Sequence, residues 1–316
     1  MTADRLALLA IGGNALIRDR RHESIPDQYD MVCALAGEIA GMIEAGWRVV
    51  VTHGNGPQVG FILRRSELSI AEVPPVPMDY AGADIQGAVG YMFVKALRNA
   101  FHGRGMRRQA VAVVTQTVVD RNDPAFANPT KPIGSHMDEA RAKQLAAKYH
   151  WTVREDAGRG WRRVVPSPRP QAIVETEVIR SLAGEGYVVV ACGGGGIPVI
   201  EDANGDLRGV EAVIDKDLAS SLLARSLGAD ALVLPTGVEK VALDFNKPTQ
   251  RWLDAMTLAE AHRHQADDQF DKGSMGPKVA ALVDFVAGGG RLGLITDPPN
   301  IARALRGETG TRIVAG

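Results

Sequence analysis

Short apolar runs alternate with longer amphipathic stretches along most of the chain. "LALLAI" (6–11) contains no polar position, which predicts a strand buried on both faces. An amphipathic stretch from about Gln28 to Ala45, closed by Gly46, predicts a helix. "WRVVVTH" (47–53) predicts a second strand, "PQVGFILRRSEL" (57–68) a helix opened by Pro57, and residues 82–102 another helix. "QAVAVVTQTVV" (109–119) predicts one continuous strand. "AIVETEVIRSLAGEG" (172–186) predicts a helix with a glycine stop, and "YVVVAC" (187–192) the strand after it. Further on, "LASSLLARSLG" and "PKVAALVDFVAGGG" predict helices, "ADALVL" a strand, and "RLGLIT" (291–296) the last core strand. Apolar strands bounded by glycine turns and separated by helices imply an α/β fold: a three-layer αβα sandwich around a mainly parallel open sheet. In such folds ligands sit where strand C-termini meet helix N-termini.

Residues 121–170 break this rhythm. They open with "RNDPAFANPTKPIG" and end with "VVPSPRP". Between these flanks lie a short helix pattern, "MDEARAKQLAAKYH", and a hairpin pattern, "WTVREDAGRGWRRVV". Proline stiffens both flanks by fixing φ and restricting the preceding residue. A small inserted subdomain on stiff stalks is expected, polar and basic, with Trp151 and Trp161. It suits a lid that docks on a ligand, and equally an inert surface insertion. The whole chain is then one domain. Its N-terminal part, about 1–228, contains the insertion, and its C-terminal part runs over about 229–316.

Charge changes the picture little. Of 316 residues, 36 are Lys or Arg and 37 Asp or Glu, for a net charge of -1. That balance gives no electrostatic case for nucleic acid or an anionic membrane, though a local cationic site remains open. No apolar stretch approaches the roughly 20 residues that span a bilayer. Cys33 and Cys192 both lie in apolar sequence, so two buried, reduced thiols in a cytoplasmic protein are expected. Acidic Asp4 before the first apolar run and "GGN" after it argue for a strand rather than a signal peptide.

Three glycine-rich loops each follow a strand: "AIGGNAL" (Gly12, Gly13, Asn14), "THGNGPQVG" (Gly54, Asn55, Gly56) and "ACGGGGIPV" (Gly193 to Gly196). Glycine lets the backbone approach a ligand and leaves N–H groups free to bind oxyanions. A helix N-terminus just downstream of the first two loops would add partial positive charge. Tight structural turns also use glycine, but three such loops in one chain are harder to explain that way. None has the spacing of a dinucleotide or Walker A loop. Three lysines accompany them: Lys131 between Pro129 and Pro132, Lys216 in "VIDKDLAS", and Lys278 in the first turn of a helix opened by Pro277. A lysine at a helix start opposes the macrodipole unless an anion sits there. Solvated surface lysines are the plain alternative for each. Taken with the loops, the three point to phosphoryl transfer, where catalysis is mostly positioning and charge neutralisation. Asp215 suits an N-cap and Asp217 a first-turn carboxylate. The i, i+2 pair His262 and His264 points in different directions on a helix, so no metal site is expected from protein side chains. His53 suits a structural role beside the second loop.

"AIGGNAL", "VTHGNGPQVG", "NPTKPIG", "RRVVPSP", "GGGGIPV", "GVEAVIDKDLAS", "TGVEKVALDF" and "GSMGPKV" together resemble the signature blocks of carbamate kinases, in the amino-acid kinase superfamily. The matches run in order over essentially the whole chain. Other superfamily members carry a lysine just before the first Gly-Gly, where this chain has Ala10-Ile11; carbamate kinases supply one from the lid, and Lys131 fits that place. The resemblance implies reversible transfer, ATP plus carbamate to ADP plus carbamoyl phosphate, commonly run towards ATP in arginine or related catabolism. It further implies Mg2+ on the nucleotide phosphates, a cytoplasmic homodimer, and an N-terminal carbamate site beside a C-terminal nucleotide site. Carried onto this chain, Gly12, Gly13, Asn14, Gly54, Asn55, Gly193, Gly194 and Gly195 would hold carbamate and the phosphoryl group. Lys131 and Lys278 would neutralise its charge, Lys216 would hold nucleotide phosphates, and Asp217 would orient the lysines. Asp215, Thr236, Gly237, Lys272, Met275 and Gly276 would line the nucleotide site with Lys216 and Lys278. No general base is needed, because carbamate is already an anionic nucleophile. Pro235, Ile85 (next to the presumed acceptor side), Ser135 and His136 depart from the family pattern. A related small-carboxylate or phosphate kinase, or a non-catalytic nucleotide- or acyl-phosphate-binding regulator, are the competing functions.

Overall fold

The computed structural model describes residues 5–316 apart from Arg18, Arg20, Ala157, Lys272 and the side chain of Asn14. From the N-terminus run β1 (Arg5–Ile11), α1 (Ile25–Glu44), β2 (Trp47–His53), α2 (Gln58–Ser69), α3 (Met78–Gly103), β3 (Ala110–Ala112) and β4 (Gln116–Val119). An outlying segment follows: α4 (Pro124–Ala127), β5 (Lys131–Met137), α5 (Glu139–Tyr149), β6 (Thr152–Glu155) and β7 (Trp161–Val165). The chain returns through β8 (Pro170–Ile173), α6 (Thr176–Gly184), β9 (Val188–Ala191), β10 (Ile197–Glu201), β11 (Leu207–Gly209) and α7 (Lys216–Leu227). It closes with β12 (Ala231–Pro235), β13 (Val241–Leu243), β14 (Arg251–Leu253), β15 (Ala255–Thr257), α8 (Leu258–Ala266), α9 (Met275–Ala287), β16 (Leu292–Thr296), α10 (Ile301–Leu305) and β17 (Thr311–Val314).

Eight strands form the central sheet, in the order β15-β17-β16-β12-β1-β2-β9-β3. All neighbours are parallel except β16 and β17. The expected three-layer sandwich follows from the alternation of side chains along each strand. In β1, Ala7, Leu9 and Ile11 join one core cluster, with α1, α2, α3 and α10. Leu6, Leu8 and Ala10 join the other, with α6, α7, α8 and α9. A strand apolar on both faces can be sheltered only between two helical layers, which is why "LALLAI" carries no polar residue. The C-terminal ends of β1, β2, β9, β12 and β16 consequently share one edge, with Ile11 beside His53 and Pro235 beside Thr296.

The outlying segment has its own three-stranded sheet, β5-β7-β6, with the expected helix and hairpin. Its flanks lead into a four-stranded sheet, β11-β10-β4-β8.

Several expectations are corrected. Residues 109–119 are two strands in two sheets, because the chain leaves the central sheet after Val113, whose N–H still reaches Val190 (2.9 Å). At Thr115 the side chain of Gln86 binds both backbone groups, and the carbonyl also accepts Ile197 N–H at the start of β10 (2.9 Å). Ala172 and Ile173 belong to β8, and the helix starts at Thr176. β17 follows "RLGLIT" as the last strand. Pro57 is the N-cap of α2, and α9 begins at Met275 rather than at Pro277. Of the two free thiols only Cys192 is buried; Cys33 is exposed on α1.

Phe93, fully buried on α3, packs beneath the site edge, its ring stacked at 6.3 Å on that of His53. Phe93→Ala is expected to cost about 3–5 kcal/mol of unfolding free energy by denaturant titration; a loss under about 1 kcal/mol would contradict tight packing of this layer.

Candidate active site

The site is built from the N-terminus of α7 outward. Asp215 has extended dihedrals and its Oδ1 accepts the N–H groups of Asp217 (2.9 Å) and Leu218 (3.2 Å), so it caps the helix as expected. Gly228, left-handed at φ 66°, ends α7. Lys216 turns back along the helix axis, and its Nζ donates to the carbonyl of Ala10 at the end of β1 (3.0 Å) and to Asp217 Oδ1. Lys278, in the first turn of α9, donates to Asp217 Oδ2 at 2.9 Å. One carboxylate thus bridges two ammonium groups from two helices. Their side chains are only 12%, 8% and 15% exposed for Lys216, Asp217 and Lys278.

The electrostatics follow. Burial pushes Asp217's carboxyl up, but the two lysine charges and their hydrogen bonds outweigh this and hold it below the usual carboxylate range. Burial lowers the Lys216 ammonium; Asp217 pulls it back up and Lys278 lowers it further, for a net lowering. Two cations against one anion leave an excess positive charge in a sheltered place, which an anionic ligand would balance. Lys131, at the start of β5, lies 4.0 Å from Asp215 Oδ2 and is 45% exposed. It therefore stands at the mouth of the site and not inside the bridge.

The first two glycine loops interlock backbone to backbone. Gly54 N–H donates to Ile11 O (2.8 Å). A Cβ on Gly13 would sit 2.0 Å from Gly56 O, and one on Gly54 would sit 2.6 Å from Gly13 N. The first loop continues into a single 3₁₀ turn, Gly13–Leu16, and α1 begins only at Ile25, so the expected helix dipole acts at the second loop and not at the first. Neither α2 nor α9 has a side-chain cap, but Val59 N–H in α2 and Gly276 N–H in α9 are spent on the carbonyls of Asn55 and Asp271, and Pro277 has no N–H to offer. Cys192, Gly194, Gly195 and Gly196 all have positive φ. A Cβ on Gly194 would meet Asn55 Nδ2 at 2.6 Å, and one on Gly196 would meet Thr117 Oγ1 at 1.9 Å. The second and third loops are therefore in contact through Asn55.

The nucleotide candidates gather on the C-terminal side of the same edge. Thr236 N–H donates to Thr296 O (2.8 Å), joining the ends of β12 and β16. Gly276 N–H donates to Asp271 O (2.8 Å), and Asp271 also holds Gly273 N–H and Ser274 Oγ, shaping the turn that carries Met275 into α9. Packing does not demand glycine at Gly12 or Gly237, where a Cβ would meet nothing within 4 Å. Lys272 and the side chain of Asn14 lie outside the described residues. Among the described residues no cluster of three or more His, Cys, Asp or Glu could hold a metal ion. A separate cleft of about 680 Å³ lies between the outlying segment and α2, lined by Leu63, Glu67, Ile133, Trp151 and Arg163; the three lysines do not line it.

Supporting residues emerge that the sequence patterns did not single out. Thr52 Oγ1 meets Ser220 Oγ (2.6 Å), which donates to Lys216 O (2.7 Å), tying β2 to the first turn of α7. Gln86, Thr115 and Thr117 hold the third loop from behind. Ile85 is buried in the apolar core on α3, next to Gln86, whose side chain reaches the third glycine loop.

An αβα sandwich with this cation pair and three oxyanion-type loops defines the class as a phosphotransferase. The model of the amino acid kinase family matches residues 5–297. A carbamate kinase of Thermococcus kodakarensis is 47% identical over 97% of this chain and 98% of its own. The carbamate kinase-like protein YahI of Escherichia coli is 46% identical over 98% of both. A carbamate kinase from Giardia lamblia, solved bound to AMP-PNP, superposes with a TM-score of 0.95 at 42% identity, covering 99% of each chain. The chain belongs to the amino acid kinase family, on its carbamate kinase branch.

His53 supplies a test of the site's electrostatics. Its Nδ1 lies 2.9 Å from Gly54 O, and a carbonyl only accepts, so Nδ1 carries the proton. Burial lowers its pKa from 6.5 to about 4. The folded state thus holds His53 neutral while the unfolded chain takes up a proton below about pH 6.5, so stability is lost as pH falls from there towards 4. The stability advantage of the wild type over His53→Gln is expected to shrink by roughly 3 kcal/mol between pH 7 and pH 4. Parallel denaturation curves that keep a constant gap would show that the imidazole is not held neutral.

Proposed function

We propose that this protein catalyses reversible phosphoryl transfer between ADP and carbamoyl phosphate, giving ATP and carbamate. The single observation that carries the reading is the Lys216–Asp217–Lys278 bridge, set where the three glycine loops converge. The transferred group is a dianionic phosphoryl whose charge spreads over three oxygens as bonds change, so fixed cations and N–H groups are the main catalytic device. Backbone N–H groups of Gly12, Gly13, Asn55, Gly193 and Gly194 take carbamate and phosphoryl oxygens, whereas those of Gly54 and Gly195, also expected as donors, are spent within the loops on Ile11 O and Cys192 O and only shape them. Lys278 and Lys131 meet the charge on the transferred group from opposite sides. Lys216 takes nucleotide phosphate oxygens, and Asp217 fixes both buried ammonium groups. The nucleotide is placed by Asp215, Thr236, Gly237, Lys272, Met275 and Gly276.

Carbamate brings its own anionic oxygen, so the site needs no base, in keeping with a neutral, buried His53. Mg2+ fits as a passenger of the nucleotide: both Asp217 oxygens are engaged by lysines, and Mg2+ would be held by phosphate oxygens and neutralise them. The segment over about 121–170 acts as a lid carrying Lys131, hinged beside the 680 Å³ cleft, where Arg163 pairs with Glu211 and lies over Trp151. The carbamate side belongs to residues up to about 228 and the nucleotide side to about 229–316. A cytoplasmic homodimer completes the reading; free thiols at Cys33 and Cys192 suit a reducing compartment, and no helix among the described residues is long and apolar enough to cross a membrane.

Relatives titled carbamate kinase and carbamate kinase-like match at nearly equal identity, so the activity itself is the decisive measurement. A coupled assay with ADP, carbamoyl phosphate and Mg2+ is expected to yield ATP; tight ADP binding without ATP formation would overturn the reading. Lys131→Ala is expected to lower kcat by roughly 10²–10³-fold while ADP affinity stays within about threefold. Near-normal turnover in that variant would make the lid lysine structural.

A further inference from the structure

Gln86 is a polar residue on the buried face of α3, among Ile85, Val89 and Phe93, and is only 4% exposed. Its amide is fully committed. Nε2 donates to Thr115 O and to Gly193 O, both at 3.0 Å, and Oε1 accepts Thr115 N–H at 2.7 Å. The orientation is unambiguous, because carbonyls only accept and an N–H only donates; a flipped amide would set like groups against each other three times. Gln86 thus binds the place where the chain leaves the central sheet and the first carbonyl of the tetraglycine loop in one grip.

The consequence lies in the next peptide group. In a trans peptide the C=O of one residue and the N–H of the following one point in opposite directions. Drawing Gly193 O inward to α3 therefore turns Gly194 N–H outward, away from the core. Within the loop, Gly195 N–H is spent on Cys192 O and Gly196 N–H on Gly193 O. Gly194 N–H has no acceptor among the described residues, and the Asn55 amide lies against Gly194. Thr117 Oγ1 holds Gly195 O (2.9 Å) and Thr115 Oγ1 holds Cys192 N–H (3.0 Å), so the loop is braced on both sides of that peptide.

We propose that Gln86 is a positioning residue for phosphoryl transfer: it locks the Gly193–Gly194 peptide so that Gly194 N–H is presented, beside Asn55, to an oxygen of the carbamate or the transferred phosphoryl group. This rests on the reading of the tetraglycine loop as part of the anion site, and it adds the residue that aims the loop. A donor fixed in advance needs no reorganisation as charge develops, which is where such groups have their effect.

The test uses the full-length enzyme forming ATP from ADP and carbamoyl phosphate. Gln86→Met keeps the side-chain length and removes the hydrogen bonds; it is expected to lower kcat about a hundredfold with KM for ADP within about threefold. Gln86→Glu faces two carbonyls with a carboxylate, whose burial raises its pKa. It is expected to be equally impaired at pH 8 and to recover at least about tenfold, relative to wild type, on going to pH 6, because a protonated carboxyl restores one donor to Gly193 O. A purely structural role would not produce that recovery, and the pH series remains decisive should Gln86→Met fail to fold. Both variants folded and within about threefold of wild-type kcat would overturn the role of Gln86, as would a Gln86→Glu enzyme equally impaired at pH 6 and pH 8. A wild-type enzyme that binds ADP but forms no ATP would instead fail the proposed activity, and this proposal with it.

Discussion

The bridge from Lys216 through Asp217 to Lys278 is the constraint around which the rest is arranged. It joins the end of β1, through the Ala10 carbonyl, to the N-termini of α7 and α9. Burying two ammonium groups and one carboxylate is a poor way to gain stability, since desolvation can exceed the attraction recovered. Here the geometry is held by other means: a capped α7, a β2-to-α7 hydroxyl pair, and two layers of helix on an apolar sheet. The fold holds the cations, rather than the cations the fold. Their excess positive charge is the feature on which the proposed phosphoryl site rests.

The parallel sheet sets the direction of everything at that edge. Parallel strands end on the same side, so loops distant in sequence converge without any dedicated connection. Loop one meets loop two through Gly13 and Gly56, and loop two meets loop three through Asn55 and Gly194. The two buried cations enter from α7, which follows β11, and from α9, which follows α8, and the third stands on a separate small sheet. Rigid parts therefore carry the buried lysines, and the exposed lysine alone rides on a segment with its own hydrogen-bonded frame.

Much of this was legible in the chain because its physics is periodic or local. Uninterrupted runs such as "LALLAI" and "YVVVAC" identify doubly covered strands, and the two-sided assignment of Leu8 and Leu9 confirms the reason. Asp215 was recognisable as a cap from its position alone, and Lys216 and Lys278 from their misfit with the helix dipole. What escaped lacks a period. The break at Thr115 is made by a side chain from α3, 29 residues away, so "QAVAVVTQTVV" looks continuous. Gln86 sits in a helical pattern as one polar residue among apolar ones, indistinguishable there from a surface position slightly out of phase. The exposure of Cys33 depends on which edge of the α1 stripe faces the sheet, a matter of a fraction of a turn. The first loop lacks a helix dipole because α1 starts at Ile25, close to the Gln28 that the amphipathic pattern implied and well beyond Gly13.

The contact between Gly13 and Gly56 has a consequence for how such a site can vary. A single methyl group at Gly13 would collide with a backbone oxygen, which cannot rotate away as a side chain can. Gly54, Gly195 and Gly196 are similarly hemmed in by backbone or by a threonine hydroxyl already in use. At Gly13, Gly54 and Gly195 the opposing wall is main chain, so no side chain can be introduced there without moving the facing strand end or loop. Variation at this edge is then left to the outlying segment, the turn before α9 and the surrounding braces. Gly13, Gly54 and Gly195 can change only together with the backbone they face, which makes these three the slowest positions of the loops to diversify.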